Sequence, residues 1–292
     1  MPGIASLYAE GADDGTKLHV FSIGSDNNLQ LHSRDEGDVN DTPETHDFST
    51  QGIEGTIVNS QITSAQLVLD LKKRDLVYSE GVIGFTNKDD DGESHNVSVI
   101  SPKYISLDKT EKHNLTIASC FSECDSWVYY FKGAQDDRIL VECHPVLGES
   151  HEIDDTIQID SNSSLAAYYD AENERRSVII QGASNSTFYE YYPEGDGDTQ
   201  RLKYTDDAQA GTPLAVVCVN GNVYLYYTNR SNELRIVTKQ IGRSWGSPQE
   251  VQGSPVDTAS QLTVVASEKG NHLFYVAEGS DESEINHVLH VR

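Results

Sequence analysis

The chain has 292 residues and carries 21 Lys and Arg against 47 Asp and Glu, a formal net charge of −26 at pH 7. This balance excludes a nucleic-acid binder or a partner for anionic membranes, because phosphate recognition needs surplus cations to displace counterions. Hydrophobic residues at 37% and 15 Tyr suffice for a packed core, and no run of about 18 apolar residues is present to span a bilayer as a helix.

The chain opens Met1-Pro2-Gly3-Ile4, without the basic start and apolar stretch of a signal peptide, and Asp13-Asp14 follow, so a cytoplasmic location is expected. The sequons at Asn40, Asn96, Asn114, Asn162, Asn185 and Asn229 are accordingly read as unused. Apolar residues then fall in short bursts rich in Val, Ile, Leu, Tyr and Phe, separated by Asp, Asn, Gly and Ser clusters, which predicts strands throughout. First strands begin near Ile4, Ala65, Leu115, Ser164, Pro213 and Gln261, at steps of 61, 50, 49, 49 and 48 residues. The long first step implies an insertion within Ser33 to Gly55, a loop over one mouth of a ring or an unstructured bulge. Asn87 to Gly92 mimics the opening of a calcium loop, but its twelfth position is Ser98, not a bidentate Glu, so it reads as a turn.

The third unit runs Leu115–Ala118, Trp127–Phe131 and Arg138–Glu142; the fourth runs Leu165–Tyr169, Ser177–Ile180 and Thr187–Tyr191. The fifth is the clearest: Pro213–Cys218, the turn pair Asn220-Gly221, Asn222–Tyr227 and Glu233–Val237, with a shorter fourth strand in Trp245–Val251. The sixth, Leu262–Val265, His272–Val276 and Ile285–Val291, runs out of chain at its third strand, where an N-terminal segment could complete it. Six units of about four antiparallel strands predict an all-β, six-bladed β-propeller filling residues 1–292 as a single domain. Cys120, Cys124, Cys143 and Cys218 are read as reduced thiols. Together with His144 they match no zinc spacing, so no metal is expected.

The repeat rhythm and the paired aromatics of the second strands resemble the fungal fucose-specific lectin propellers over nearly the whole chain. In that family an Arg before the paired aromatics, a Glu on the third strand and a neighbouring Trp or Tyr grip a sugar between blades. The resemblance places His19, Leu76, Trp127, Ser177, Tyr224 and His272 at the Arg position, with Arg176 one residue away in blade four. It places Glu142 and Glu190 at the Glu position, Gln30 there in blade one, and Trp245 at the aromatic position. Apart from the resemblance, Trp127, Tyr129 and Tyr130 read as inter-blade packing and Glu142 and Glu190 as solvated strand ends. Arg175-Arg176 reads as a surface pair with Glu172 or Glu174.

Because the sugar positions have diverged while the blades persist, a single specialised pocket is expected rather than a ring of equal sites. The chain is similar to divergent members of that family that act as cofactor-free hetero-Diels–Alderases, joining a tropolone-derived quinone methide to a sesquiterpene alkene. That likeness implies small hydrophobic substrates and no cofactor, and the chain has no G-x-G-x-x-G, G-x-S-x-G or H-E-x-x-H. A degenerate glycan-binding lectin and a non-catalytic interaction propeller remain alternatives, and the sequence does not set the oligomeric state, homo-oligomer included.

Five of ten histidines, His19, His32, His272, His287 and His290, fall on strands of blades one and six, which become neighbours on ring closure. His19 and His272 are therefore the candidate catalytic donors of a pocket at that seam. Trp127, Tyr224, Trp245, Arg176, Glu142 and Glu190 are the candidate substrate contacts. His287 and His290 have opposite strand parity, so at most one of them faces any given cluster.

Overall fold

The computed structural model describes all residues except 1–2, 10–16, 38, 40–42, 49–54, 71–75, 88–91, 154–157, 184–185 and 195–198, and not the side chains of 48, 68–70 and 76–78. Asn40 and Asn185 of the sequons, the centre of the acidic run, parts of the proposed insertion and the side chain of Leu76 thus lie outside the described residues.

Blade one contains β1 (Ile4–Ala9), β2 (Lys17–Ile23), β3 (Leu29–Asp35) and β4 (Glu44–Phe48). Blade two contains the short β5 (Thr56–Ile57), then β6 (Thr63–Asp70), β7 (Leu76–Asn87), β8 (Ser94–Ser101) and β9 (Ile105–Glu111). Blade three has β10 (Ile117–Phe121), β11 (Ser126–Lys132), β12 (Ile139–His144) and β13 (Glu149–Ile153). Blade four has β14 (Ala166–Asp170), β15 (Arg175–Gln181), β16 (Phe188–Tyr191) and β17 (Thr199–Arg201). Blade five has β18 (Ala215–Val219), β19 (Asn222–Thr228), β20 (Leu234–Gln240) and β21 (Gln249–Glu250), and blade six β22 (Thr263–Ala266), β23 (Asn271–Val276) and β24 (Ile285–His290). All pairings are antiparallel between sequence neighbours, apart from β5, which pairs with the far end of β7. The described residues contain no helix, and the expected six-bladed propeller is what they form.

Strand alternation builds the ring. Along β11, Trp127, Tyr129 and Phe131 pack toward blade four, whereas Val128 and Tyr130 pack toward blade two. A fully buried blade needs apolar side chains at both parities, which explains the near-continuous apolar runs in the sequence. Six hydrophobic clusters result, one at each boundary between neighbouring blades. The β18–β19 hairpin turns at Asn220 and Gly221 with φ of 50° and 70°, the left-handed pair that this tight turn requires.

The innermost strand of every blade is its first long one, and β1 packs between β6 and β22 to close the ring. Blade six keeps three strands among the described residues, and β1 pairs with β2 and not with blade six. Closure therefore rests on side-chain packing and not on an N-terminal strand added to the last sheet. The described part of the insertion does not cover a mouth. Val39 is buried in the seam with Leu18, Val20 and Phe274, and its carbonyl accepts a hydrogen bond from Arg34 Nη1 at 2.6 Å. Across the same seam Lys269 Nζ donates to the Glu36 carbonyl at 3.0 Å.

Candidate functional site

The six inner strands enclose an axial cavity of about 610 Å³. Its wall has two chemical halves, set by which residue each inner strand turns toward the axis. Blades four and five contribute Ala167, Val216 and Val217, an apolar arc. Blades six, one, two and three contribute Thr263, Ser6, Thr63, Ser64 and Ser119, a hydroxyl arc.

The protons of that arc can be followed one by one. Ser64 Oγ donates to the Ser6 carbonyl and Ser119 Oγ to the Ser64 carbonyl, each at 2.9 Å. Ser119 has then spent its proton, so Thr63 Oγ1 donates to Ser119 Oγ at 2.7 Å. Ser6 Oγ and Thr263 Oγ1 pair at 2.8 Å. One of those two donates, and the other keeps its proton available to a ligand. At the N-terminal ends of the inner strands Gln261 Oε1 accepts from Ile4 and Ile62 backbone N–H at 2.9 and 3.1 Å, while its Nε2 donates to the Ile62 carbonyl at 2.7 Å, tying blades six, one and two together.

At the opposite mouth the last lining residues are aromatic in three blades: Tyr8, Phe121 and Tyr169. Tyr169 stacks on Trp127 with ring centroids 5.6 Å apart. Glu80, from β7, is the only charged residue among the described residues lining the cavity. Its Oε2 lies 2.6 Å from His19 Nδ1. His19 was expected at the seam of blades one and six, and the structure corrects this. Leu18 and Val20 face blade six, so strand parity turns His19 and Phe21 toward blade two.

His272 does not join His19. It is buried in blade six, with Nε2 bonded to Ser267 Oγ at 2.9 Å and Nδ1 to His287 Nε2 at 3.0 Å. Burial lowers the pKa of both rings, that of His287 to about 4 with help from His272 and Arg34. His290, at the other parity, faces blade five and bonds Tyr226 Oη through Nδ1 at 2.8 Å.

Glu142 and Glu190, read from the sequence as solvated strand ends, are both buried, because each points into a boundary between blades. Glu142 accepts from Tyr129 Oη at 2.6 Å and lies 3.4 Å from Arg176 Nη1 across the boundary of blades three and four. Arg176 pairs not with Glu172 or Glu174 but with Glu142 and, at 2.5 Å, Glu194, and its guanidinium lies 4.7 Å from the Trp127 ring centroid. Trp127, Arg176 and Glu142 are thus brought together.

At the boundary of blades four and five, Glu190 receives Lys239 Nζ at 2.6 Å, Trp245 Nε1 at 2.9 Å, Tyr192 Oη at 3.0 Å and the Tyr168 hydroxyl. Burial and the neighbouring carboxylate push the Tyr168 phenol well up, so it stays a donor. Lys239 Nζ sits 5.0 Å from the Trp245 ring centroid and fills the space between carboxylate and aromatics. Tyr224 lies apart from this set, edge-on to His290 at 6.4 Å. Sequence reasoning missed Lys239 and Glu80. Lys239 shares strand parity with the buried Val237, which marks it as an inward-pointing cation; Glu80 carries no comparable signal.

No family model matches the chain, and no curated protein matches its sequence. Solved structures do match in shape. A mutant of the lectin of Aleuria aurantia, in complex with alpha-methyl-L-fucoside, superposes with a TM-score of 0.68 at 14% identity, covering 98% of this chain and 94% of that one. The SapL1 lectin in complex with alpha methyl fucoside gives 0.63 at 13% identity, covering 99% and 95%. AofleA from Arthrobotrys oligospora gives 0.62 at 11% identity, covering 100% and 87%. At these identities the likeness shows the shared six-bladed fold.

Proposed function

We propose that the chain is a cofactor-free pericyclase that works in its axial cavity, joining a tropolone-derived quinone methide to a sesquiterpene alkene by hetero-Diels–Alder cycloaddition. The observation that carries this reading is the division of the cavity wall. An oxygen-bearing planar diene suits the hydroxyl arc, and a hydrocarbon alkene suits the apolar arc of Ala167, Val216 and Val217. A concerted cycloaddition needs no nucleophile. The protein contributes orientation, holding two reactants in near-attack geometry, and the free proton of the Ser6–Thr263 pair polarises the diene carbonyl. A volume of about 610 Å³ lies within the roughly 300–1,000 Å³ of ordinary ligand pockets.

The experiment supplies purified protein with the alkene and a quinone methide generated in the cuvette. A single stereoisomer should form faster than in buffer, and Val217→Trp, which fills the apolar arc, should return the rate to background with the thermal melt unchanged. Racemic product at the uncatalysed rate from the unmodified chain would overturn the reading.

A second reading has its own support at the boundary of blades three and four. Glu142, Arg176 and Trp127 offer a carboxylate, a guanidinium and an indole face, the groups that grip a sugar. The similarly folded lectins bind fucosides, as their structures with alpha-methyl-L-fucoside state. Calorimetric titration with methyl fucoside tests it, with heat lost in Arg176→Ala.

A further inference from the structure

The aromatic residues at the mouth and the carboxylate beside them stand at one level of the cavity. Side chains two residues apart on a strand share a face. Ser6, Ser64 and Ser119 are linked by hydrogen bonds from blade to blade, so two residues further on Tyr8, Gln66 and Phe121 form the next layer toward the mouth. Ala167 leads in the same way to Tyr169. Glu80 is the cross-strand partner of Gln66, which brings it into that layer. Taken through blades one to four, the layer presents Tyr8, Glu80, Phe121 and Tyr169 in turn.

We propose that this layer binds an organic ammonium ion carrying a hydrocarbon chain, a binding activity separate from the cycloaddition. Glu80 supplies the opposite charge and the three rings supply the faces.

The charges select a cation. Glu80 is the only charged residue among the described residues lining the cavity, and a net charge of −26 over the chain draws cations toward its mouth. The carboxylate is about one-third exposed, so a ligand can reach it. His19 Nδ1 holds Oε2 at 2.6 Å, and among the described residues no hydrogen bond reaches Oε1.

The rings select the kind of cation. An aromatic face attracts an ammonium within about 6 Å of its centroid, most strongly where water is excluded. Phe121 is 36% exposed, and Tyr169 is braced by its stacking on Trp127. A metal ion would need several ligating side chains, and the described residues hold no group of three that could serve. An alkylated ammonium is weakly hydrated and needs no acceptor for an N–H, so it can lie against Glu80 without breaking the bond to His19. Deeper in the cavity Ala167, Val216 and Val217 offer its chain an apolar wall.

The test uses hexyltrimethylammonium chloride, titrated calorimetrically into the full chain at pH 8, with hexan-1-ol and sodium hexanoate as neutral and anionic probes of the same chain length. The ammonium should bind at one site per chain, more tightly than either control, and more weakly as salt rises. Glu80→Gln should lose about tenfold in affinity, a loss of about 1.4 kcal/mol, and Phe121→Leu about fivefold, with thermal melts unchanged. Hexan-1-ol or hexanoate binding as tightly would show that the cavity takes the chain and not the charge, and would overturn the proposal. Absence of ammonium binding, or unchanged affinity in Glu80→Gln or in Phe121→Leu, would also overturn it. No cycloaddition substrate takes part, so none of these results bears on the pericyclase reading.

Discussion

The carboxylate of Glu190 and the ammonium of Lys239 meet across the boundary of blades four and five at 2.6 Å, with Glu190 wholly buried. Here the lysine fills the space between the Glu190 carboxylate and the rings of Tyr168, Tyr192 and Trp245. Removing one partner strands a charge in a dry site. Lys239→Met should therefore cost about 3–5 kcal/mol in urea unfolding, and adding Glu190→Gln should restore most of it. A single variant as stable as the double would show that the pair is not electrostatically coupled.

Self-filling of this kind limits what inter-blade clefts can bind. Methyl fucoside titrated into the protein should reach no more than one site per chain, at Glu142 and Arg176, and Arg176→Ala should abolish it. A stoichiometry near six would mean that the other boundaries open in solution.

How much of this was legible in the sequence depends on what each residue faces. The blade period was readable because every unit repeats the same burial demand on its strands, and the turn at Asn220-Gly221 because only a few residues accept its φ values. Ring closure was not, since β1 joins blade six through side-chain packing and side-chain hydrogen bonds, from Gln261 and Thr263, and not through a backbone ladder. Glu142 and Glu190 look like surface carboxylates in a chain of 47 acidic residues, until the partners Arg176 and Lys239 arrive from the next blade. His19 was legible as a strand residue of blade one but not its direction, because the face it shares depends on which parity of β2 meets blade two.

The stacked rings of His272 and His287 make stability depend on pH. An unfolded imidazole takes a proton near pH 6.5, whereas in the fold burial holds both below that value, His287 at about 4. Between these limits the unfolded chain binds more protons, so stability falls as pH drops from about 6.5 toward 4. Lys269, Arg34 and Arg292 oppose protonation and Glu36 favours it. The melting temperature should fall by a few degrees more across this window in the unmodified chain than in His287→Gln; parallel curves would remove the histidine pair as the cause.

Thiol labelling can locate a ligand without a structure. Cys218 lines the cavity, and burial followed by Asp170 pushes its pKa to about 11, whereas Cys124 is exposed. A maleimide at pH 8 should modify Cys124 first and Cys218 slowly, with the Cys218 rate rising about tenfold per pH unit. Bound product should protect Cys218 and leave Cys124 unaffected. Equal labelling of Cys218 with and without product would place the ligand elsewhere.

The most direct measurement is a crystal structure of the protein with the cycloaddition product bound. The product should lie on the axis, its oxygen within hydrogen-bonding distance of the Ser6–Thr263 pair, its hydrocarbon against Val216 and Val217, and Glu80 beside it at the aromatic mouth. A product lodged between blades three and four on Trp127 and Arg176, with the axial cavity holding only water, would contradict the account.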